Sequence, residues 1–250
     1  MLDDATIQAT LAAALRTGGD FAEVFVEDKR SSAAMLDDGR VEELSSGRDR
    51  GAGVRVVAGE TTGFAHTADL TAAGLAAAAE AAAAAARSGG AGVRQVALTR
   101  RPAPRPNEVA VLPETVPKGD KVELLRRADE AARAEGGAIR QVRARYGDSR
   151  RQILVANSDG LVTGDDQVRT LFVVSAVASG DTGMQTGYES VGRTVGFELF
   201  DRHDVDEVAR TAARRAITKL SARPAPSGTL PVVIGPGGGG VLFHEACGHG

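Results

Sequence analysis

The sequence is poor in the residues that mark several common protein classes. It holds one cysteine, Cys247. A lone thiol closes no intramolecular disulfide, which excludes a secreted disulfide scaffold. No apolar run approaches the roughly 20 residues of a membrane span. Basic residues are not in excess: 30 Lys and Arg stand against 33 Asp and Glu, a net charge of −3. That balance argues against a general nucleic-acid or anionic-membrane binder. The 31 glycines and nine prolines among 250 residues are too few for a collagen-like or low-complexity chain. Met1-Leu2-Asp3-Asp4 lacks the basic-then-apolar pattern of a signal peptide. The expectation is a soluble cytoplasmic protein. Apolar residues make up 42%, enough for a core at a length that fits one to two domains.

The hydrophobic pattern predicts an α+β fold. Ile7, Leu11 and Leu15 recur at helical spacing over 4–16, before Gly18-Gly19. Strands follow from Phe21 to Lys29, Val41 to Ser45, Val54 to Val57 and Thr62 to Thr67, with Asp38-Gly39 as a hairpin turn. An alanine-rich helix closes this first unit over 70–87, with alanine on nearly every face, which suits close packing. A second unit repeats the order. A helix over 119–135 has Asp120 as N-cap and Glu123 three residues on, as in a capping box. Strands at 139–147, 150–156, 160–164, 168–178 and 182–190 surround an Asn157-Ser158-Asp159-Gly160 turn, and a helix over 204–220 follows. The shared order points to an internal duplication; two unrelated layers are the alternative. The predicted boundaries are a first α+β unit at 1–87, a Pro/Gly-rich linker at 88–117, a second unit at 118–220, a linker at 221–228, and the start of a further, catalytic domain at 229–250. Leu230 to Ile234 reads there as a short buried strand. The sequence stops at His249-Gly250 with no turn or tail, so a longer natural protein is expected.

The chemically specific residues lie between 230 and 250. A glycine run, Gly237 to Gly240, leads into Val241-Leu242-Phe243-His244-Glu245-Ala246-Cys247-Gly248-His249. No Gly-Lys-Ser/Thr follows the glycines, so a P-loop is excluded. Two histidines flanking a glutamate point to a metal site instead. Neutral imidazole suits zinc and similar divalent ions, and a neighbouring carboxylate can take a proton from water that the ion activates. The familiar His-Glu-x-x-His places both ligands on one helix face. Here the histidines are five apart, about 140° around a regular α-helix. A π-bulge or a break between Ala246 and His249 is therefore predicted, because it restores a shared face. The apolar lead-in predicts a buried helix. Cys247 is expected to be a small buried packing residue.

The Gly-Gly-Gly-Gly-Val-Leu-Phe-His-Glu-Ala-Cys-Gly-His-Gly segment closely resembles the signature of the TldD/PmbA metallopeptidases, on the TldD side. Val41-Glu42-Glu43, Arg48 to Arg55 and Gly63-Phe64-Ala65-His66-Thr67 also resemble that family's N-terminal region. The resemblance implies His244 and His249 as metal ligands, Glu245 as general base, and a third, cysteine ligand downstream that Cys247 does not match. It implies a divalent metal, zinc with iron as the alternative. It further implies a heterodimer with a PmbA/TldE-type subunit, acting on small or unfolded peptides bound as extended strands. Two ligands hold a catalytic metal weakly, so these 250 residues alone are expected to be inactive. A non-catalytic peptide-binding or assembly module with structural histidines is the alternative. His66 is expected to be structural, His203 a solvated loop residue, and Arg48-Asp49-Arg50 a solvated turn or subunit contact. Arg126-Arg127, Arg150-Arg151 and Arg214-Arg215 read as scattered surface charge, without aromatics for nucleic-acid stacking.

Overall fold

A computed structural model describes residues 2–86, 96–104 and 108–249. It divides into two compact units, 1–220 and 221–250, each taken by itself below. No helix among the described residues is long and apolar enough to cross a membrane.

In the larger unit, α1 (Asp4–Ala14) precedes β1 (Phe21–Asp37), β2 (Arg40–Ala58), β3 (Thr61–Thr67) and α2 (Ala72–Ala85). A two-residue strand, β4 (Thr99–Arg100), is followed by a 3-10 turn at Pro113–Thr115 and α3 (Lys118–Arg133). Then come β5 (Ile139–Asn157), β6 (Leu161–Gly180), β7 (Gly183–Arg193), a short α4 (Leu199–Arg202) and α5 (Val205–Leu220). The α+β class is as predicted. The end of the alanine-rich helix at Arg87 and all three glycines of the predicted linker lie outside the described residues.

The seven strands among the described residues form one sheet, ordered β3-β2-β1-β5-β6-β4, with β7 also on β6. The strands are longer than predicted. The separate stretches at 139–147 and 150–156 are one strand, as are those at 160–164 and 168–178. Arg48-Asp49-Arg50 lies within β2, not in a turn. Asp38 and Gly39, both at positive φ, make the tight β1–β2 turn. α3 starts earlier than expected: Pro117 occupies the N-cap without a side-chain bond, and Asp120 falls inside the first turn.

The duplication is visible in register. Ala22 faces Val56 in the first hairpin, and Val56 faces Gly63. Val142 faces Ala176 in the second, and Ala176 faces Gly187. On that correspondence Arg30 maps onto Arg150, and these two residues face each other across β1 and β5. A pseudo-twofold axis therefore passes between them. Both equivalent glycines admit a helix backbone: a Cβ on Gly63 would lie 1.9 Å from the Ala82 carbonyl oxygen, and one on Gly187 1.9 Å from that of Ala212.

Along β1, the buried residues Ala22, Val24, Val26, Ala34 and Leu36 share one face by the two-residue strand period. The helices cover that face in two places and make two cores. The first joins Ile7, Leu11, Val24, Val54, Leu75 and Ala82. The second joins Leu125, Val142, Tyr146, Phe172, Leu199 and Ala212. The strands serve both, since Leu36 belongs to the second core and Leu154 to the first. Between the cores β1 has no buried residue from Glu27 to Ala33.

Candidate metal centre

In the smaller unit, 221–250, the predicted strand at Leu230 to Ile234 is absent. Those residues are irregular and exposed, Val233 at 98%. A strand needs a partner for its backbone groups, and this unit has no second strand among its described residues. α6 (Gly238–Phe243) follows the glycine run. It is not the buried helix expected, since Val241, Leu242 and Phe243 are each more than half exposed. Cys247 is exposed as well, contrary to its expected packing role.

The helix changes from α to π hydrogen bonding at the motif. His244–Gly248 forms a π-helical turn, as the five-residue histidine spacing predicts. A π-turn closes its hydrogen bonds five residues apart, so residues 244 and 249 come onto one side. The His244 and His249 Nε2 atoms lie 2.8 Å apart, a hydrogen-bond distance at which one ring donates and the other accepts. Their rings meet edge to face with centroids 4.5 Å apart. Glu245 sits within the same turn and is exposed.

These two side chains fit a divalent cation in donor type. Both present a convergent ring nitrogen, and metal–nitrogen bonds of about 2.0–2.1 Å reach across their separation. They supply two ligands only. Among the described residues no group of three His, Cys, Asp or Glu side chains converges as a metal would require. His66 joins no such group. It is exposed on β3, with its ring 6.3 Å from that of Phe64. His203 is half-buried in the turn between α4 and α5.

The sequence reading missed a polar cluster in the larger unit. Lys121 on α3 donates from Nζ to Asp148 Oδ2 at 2.7 Å and to Ser32 Oγ at 2.8 Å, and Ser32 Oγ also bonds Asp148. The lysine and aspartate side chains are 5% and 7% exposed. Nζ also lies 5.0 Å from the centre of the Tyr146 ring, a cation–π distance. Burial, and then the adjacent Asp148 carboxylate, push the Tyr146 pKa upward, so its phenol stays neutral. The residues come from three elements, and their proximity depends on strand register.

The profile of the PmbA/TldA metallopeptidase domain 1 matches residues 22–86, and that of the central domain matches 112–220. Together they cover more than half of the chain. A metalloprotease of Methanothermobacter thermautotrophicus is 32% identical over 92% of this chain and 50% of its own length. A metalloprotease TldD homologue of Haemophilus influenzae is 33% identical over 92% of this chain and 49% of its own. The fold is also that of TldE from Thermococcus kodakarensis, with a TM-score of 0.67 at 18% identity over 86% of this chain and 47% of that one. The chain thus spans about half the length of the curated relatives it matches. By its matched domains and these relatives, it belongs to the TldD/PmbA metallopeptidase family.

Proposed function

We propose that these residues are the N-terminal part of a TldD-type peptidase subunit whose catalytic centre includes the π-turn at His244–Gly248. The observation that carries the reading is the 2.8 Å approach of the His244 and His249 ring nitrogens, in a chain of a metallopeptidase family. His244 and His249 would hold a divalent ion, zinc or iron. That ion, when bound, polarises a scissile carbonyl and acidifies water. Both rings must be neutral to serve as ligands. Glu245 accepts the proton of the attacking water and passes it to the leaving amine. A third ligand, a cysteine further along the polypeptide, completes the set, since catalytic zinc sites hold three protein ligands. The substrates are small or unfolded peptides bound as extended strands. The partner is a PmbA/TldE-type subunit, as the resemblance of the sequence to the TldD side of the family implies.

The test uses the polypeptide carrying this segment at the length of its relatives, with its partner subunit. Metal content by mass spectrometry is expected at one ion per TldD-type chain, lost in His244→Ala. Glu245→Gln should keep the ion and lose peptide cleavage. A metal-free preparation, or cleavage unchanged by Glu245→Gln, would overturn the assignment and leave a binding module.

A further inference from the structure

The gap between the two cores holds a cavity of about 560 Å³ on the helix-covered face of the sheet. Its floor carries a row of three arginines on adjacent strands. Arg30 on β1 faces Arg48 on β2 on one side and Arg150 on β5 on the other. Like charges placed directly across a sheet repel. The outer two are neutralised. Arg48 pairs with Asp28, which raises the guanidinium pKa and lowers that of the carboxyl. Arg150 pairs with Asp166 at 2.6 Å and Glu114 at 2.8 Å. The buried Lys121 nearby is held by Asp148. The side chain of the central arginine, Arg30, makes no ion pair or hydrogen bond among the described residues; the nearby Asp28, which feels its charge, is held by Arg48, and Arg30 is exposed to the cavity.

The duplication identifies what is missing. Asp166 faces Gln152 in the second hairpin, and the equivalent position in the first is Ser46, which faces Ser32. Where Arg150 has an acid, its counterpart Arg30 has a hydroxyl. Ser46, Ser31 and Lys118 all line the cavity. The result is a guanidinium with no bonded acid of its own between two that have one, beside serine hydroxyls, in a space large enough for a small molecule.

We propose that this cavity binds an oxyanion, the phosphate or carboxylate group of a small molecule, with Arg30 as the central ligand. The geometry suits such a group because guanidinium forks match its oxygens, and Lys118, which makes no ion pair among the described residues, adds a second cation to the lining. A bound anion supplies the acceptor oxygens that Arg30 lacks among the described residues.

The test is isothermal titration calorimetry of the 250-residue protein with inorganic phosphate and, separately, citrate, against sodium chloride at matched ionic strength. Saturable binding of one or both is expected. Phosphate alone assigns a phosphorylated ligand, and citrate alone a carboxylate one. Arg30→Gln should weaken binding at least about tenfold, a step of about 1.4 kcal/mol. Ser46→Asp, which supplies the acid found in the other half, should do the same while leaving the protein folded. Arg145→Gln, an exposed arginine on the opposite face of β5, should bind as the parent does. No saturable heat with either anion, or parental affinity in both Arg30→Gln and Ser46→Asp, would overturn the proposal.

Discussion

Replacing Gly63 or Gly187 by alanine tests whether the two halves are physically equivalent. A Cβ at 63 would lie 1.9 Å from the Ala82 oxygen and 2.4 Å from the Ala86 nitrogen. One at 187 would lie 1.9 Å from the Ala212 oxygen and 2.5 Å from the Ala216 nitrogen. Carbon–oxygen contacts settle near about 3.3 Å or beyond, so each helix must withdraw by more than about 1 Å. The obstructing atoms are helix backbone and cannot rotate aside. Overpacking costs about 1–3 kcal/mol in general, and these sites belong at the upper end. In a unit of this size about 3 kcal/mol lowers Tm by about 6–12 °C. The two sites lie in separate cores, so their effects should add, and the double variant should lose about 6 kcal/mol. Thermal unfolding followed by circular dichroism measures all three. Gly119→Ala is the control: a Cβ there meets nothing within 4 Å, and alanine favours a helix. A cost below about 1 kcal/mol at either site, or a large cost at one site alone, would refute the equivalence drawn from register.

Two further perturbations probe the polar contacts of the larger unit. Lys121→Met leaves the buried Asp148 carboxylate without its cation and should cost about 3–5 kcal/mol in urea unfolding, while Lys121→Met with Asp148→Leu should recover most of it; equal losses in the single and double variants would show that the charge pairing is irrelevant. Burial pushes the Glu198 carboxyl upward, but the N–H groups of Val111 and Gly196, each at 2.9 Å, and of Ala110 at 3.1 Å donate to it and hold its pKa below the usual glutamate range. Its contribution is therefore present above the unfolded pKa of about 4.3 and fades as pH falls through the lower folded value. Glu198→Gln should cost about 1 kcal/mol at neutral pH, and the difference from the parent should shrink in acid; a difference that grows in acid would contradict the sign.

The helices were legible because their apolar residues recur on one face, as Ile7, Leu11 and the buried Val122, Leu125 and Ala128 do. The strands were legible in existence and not in length. Between the cores, β1 carries Asp28, Arg30 and Ser32, and β5 carries Asp148, Arg150 and Gln152, where a buried strand face would show apolar residues. Read locally, that looks like a strand ending. The backbone stays extended there because β1 is paired on both sides, by β2 and β5, through the whole stretch. The segment at 230–234 failed in the opposite direction. Its apolar residues have strand character, but strand propensity expresses a fit to neighbours, and no strand lies beside it within its own unit. The π-turn was legible because a five-residue separation of two like ligands is a geometric statement. The roles of His244, Glu245 and His249 are chemical statements, and spacing alone does not carry them.

The arginine row marks the boundary between these two kinds of reading. Arg30, Arg48 and Arg150 are scattered in sequence, and pairs such as Arg150-Arg151 looked like surface charge. Register alone sets the three side by side. Duplication then gives the row its meaning. A duplicated fold supplies its own internal reference, because each position has a counterpart in nearly the same backbone environment. Where the counterparts agree, as at Gly63 and Gly187, packing is the sufficient explanation: both must admit a helix carbonyl. Where they differ, at Ser46 and Asp166, the strands and the register are the same on both sides, and each position lies diagonally across from an arginine, Arg30 or Arg150. The difference is a charge. A hydroxyl in place of the acid leaves Arg30 without the bonded carboxylate that Arg150 has, so its donors are free to meet an acceptor from outside the chain. The cavity above Arg30 is where that acceptor would sit.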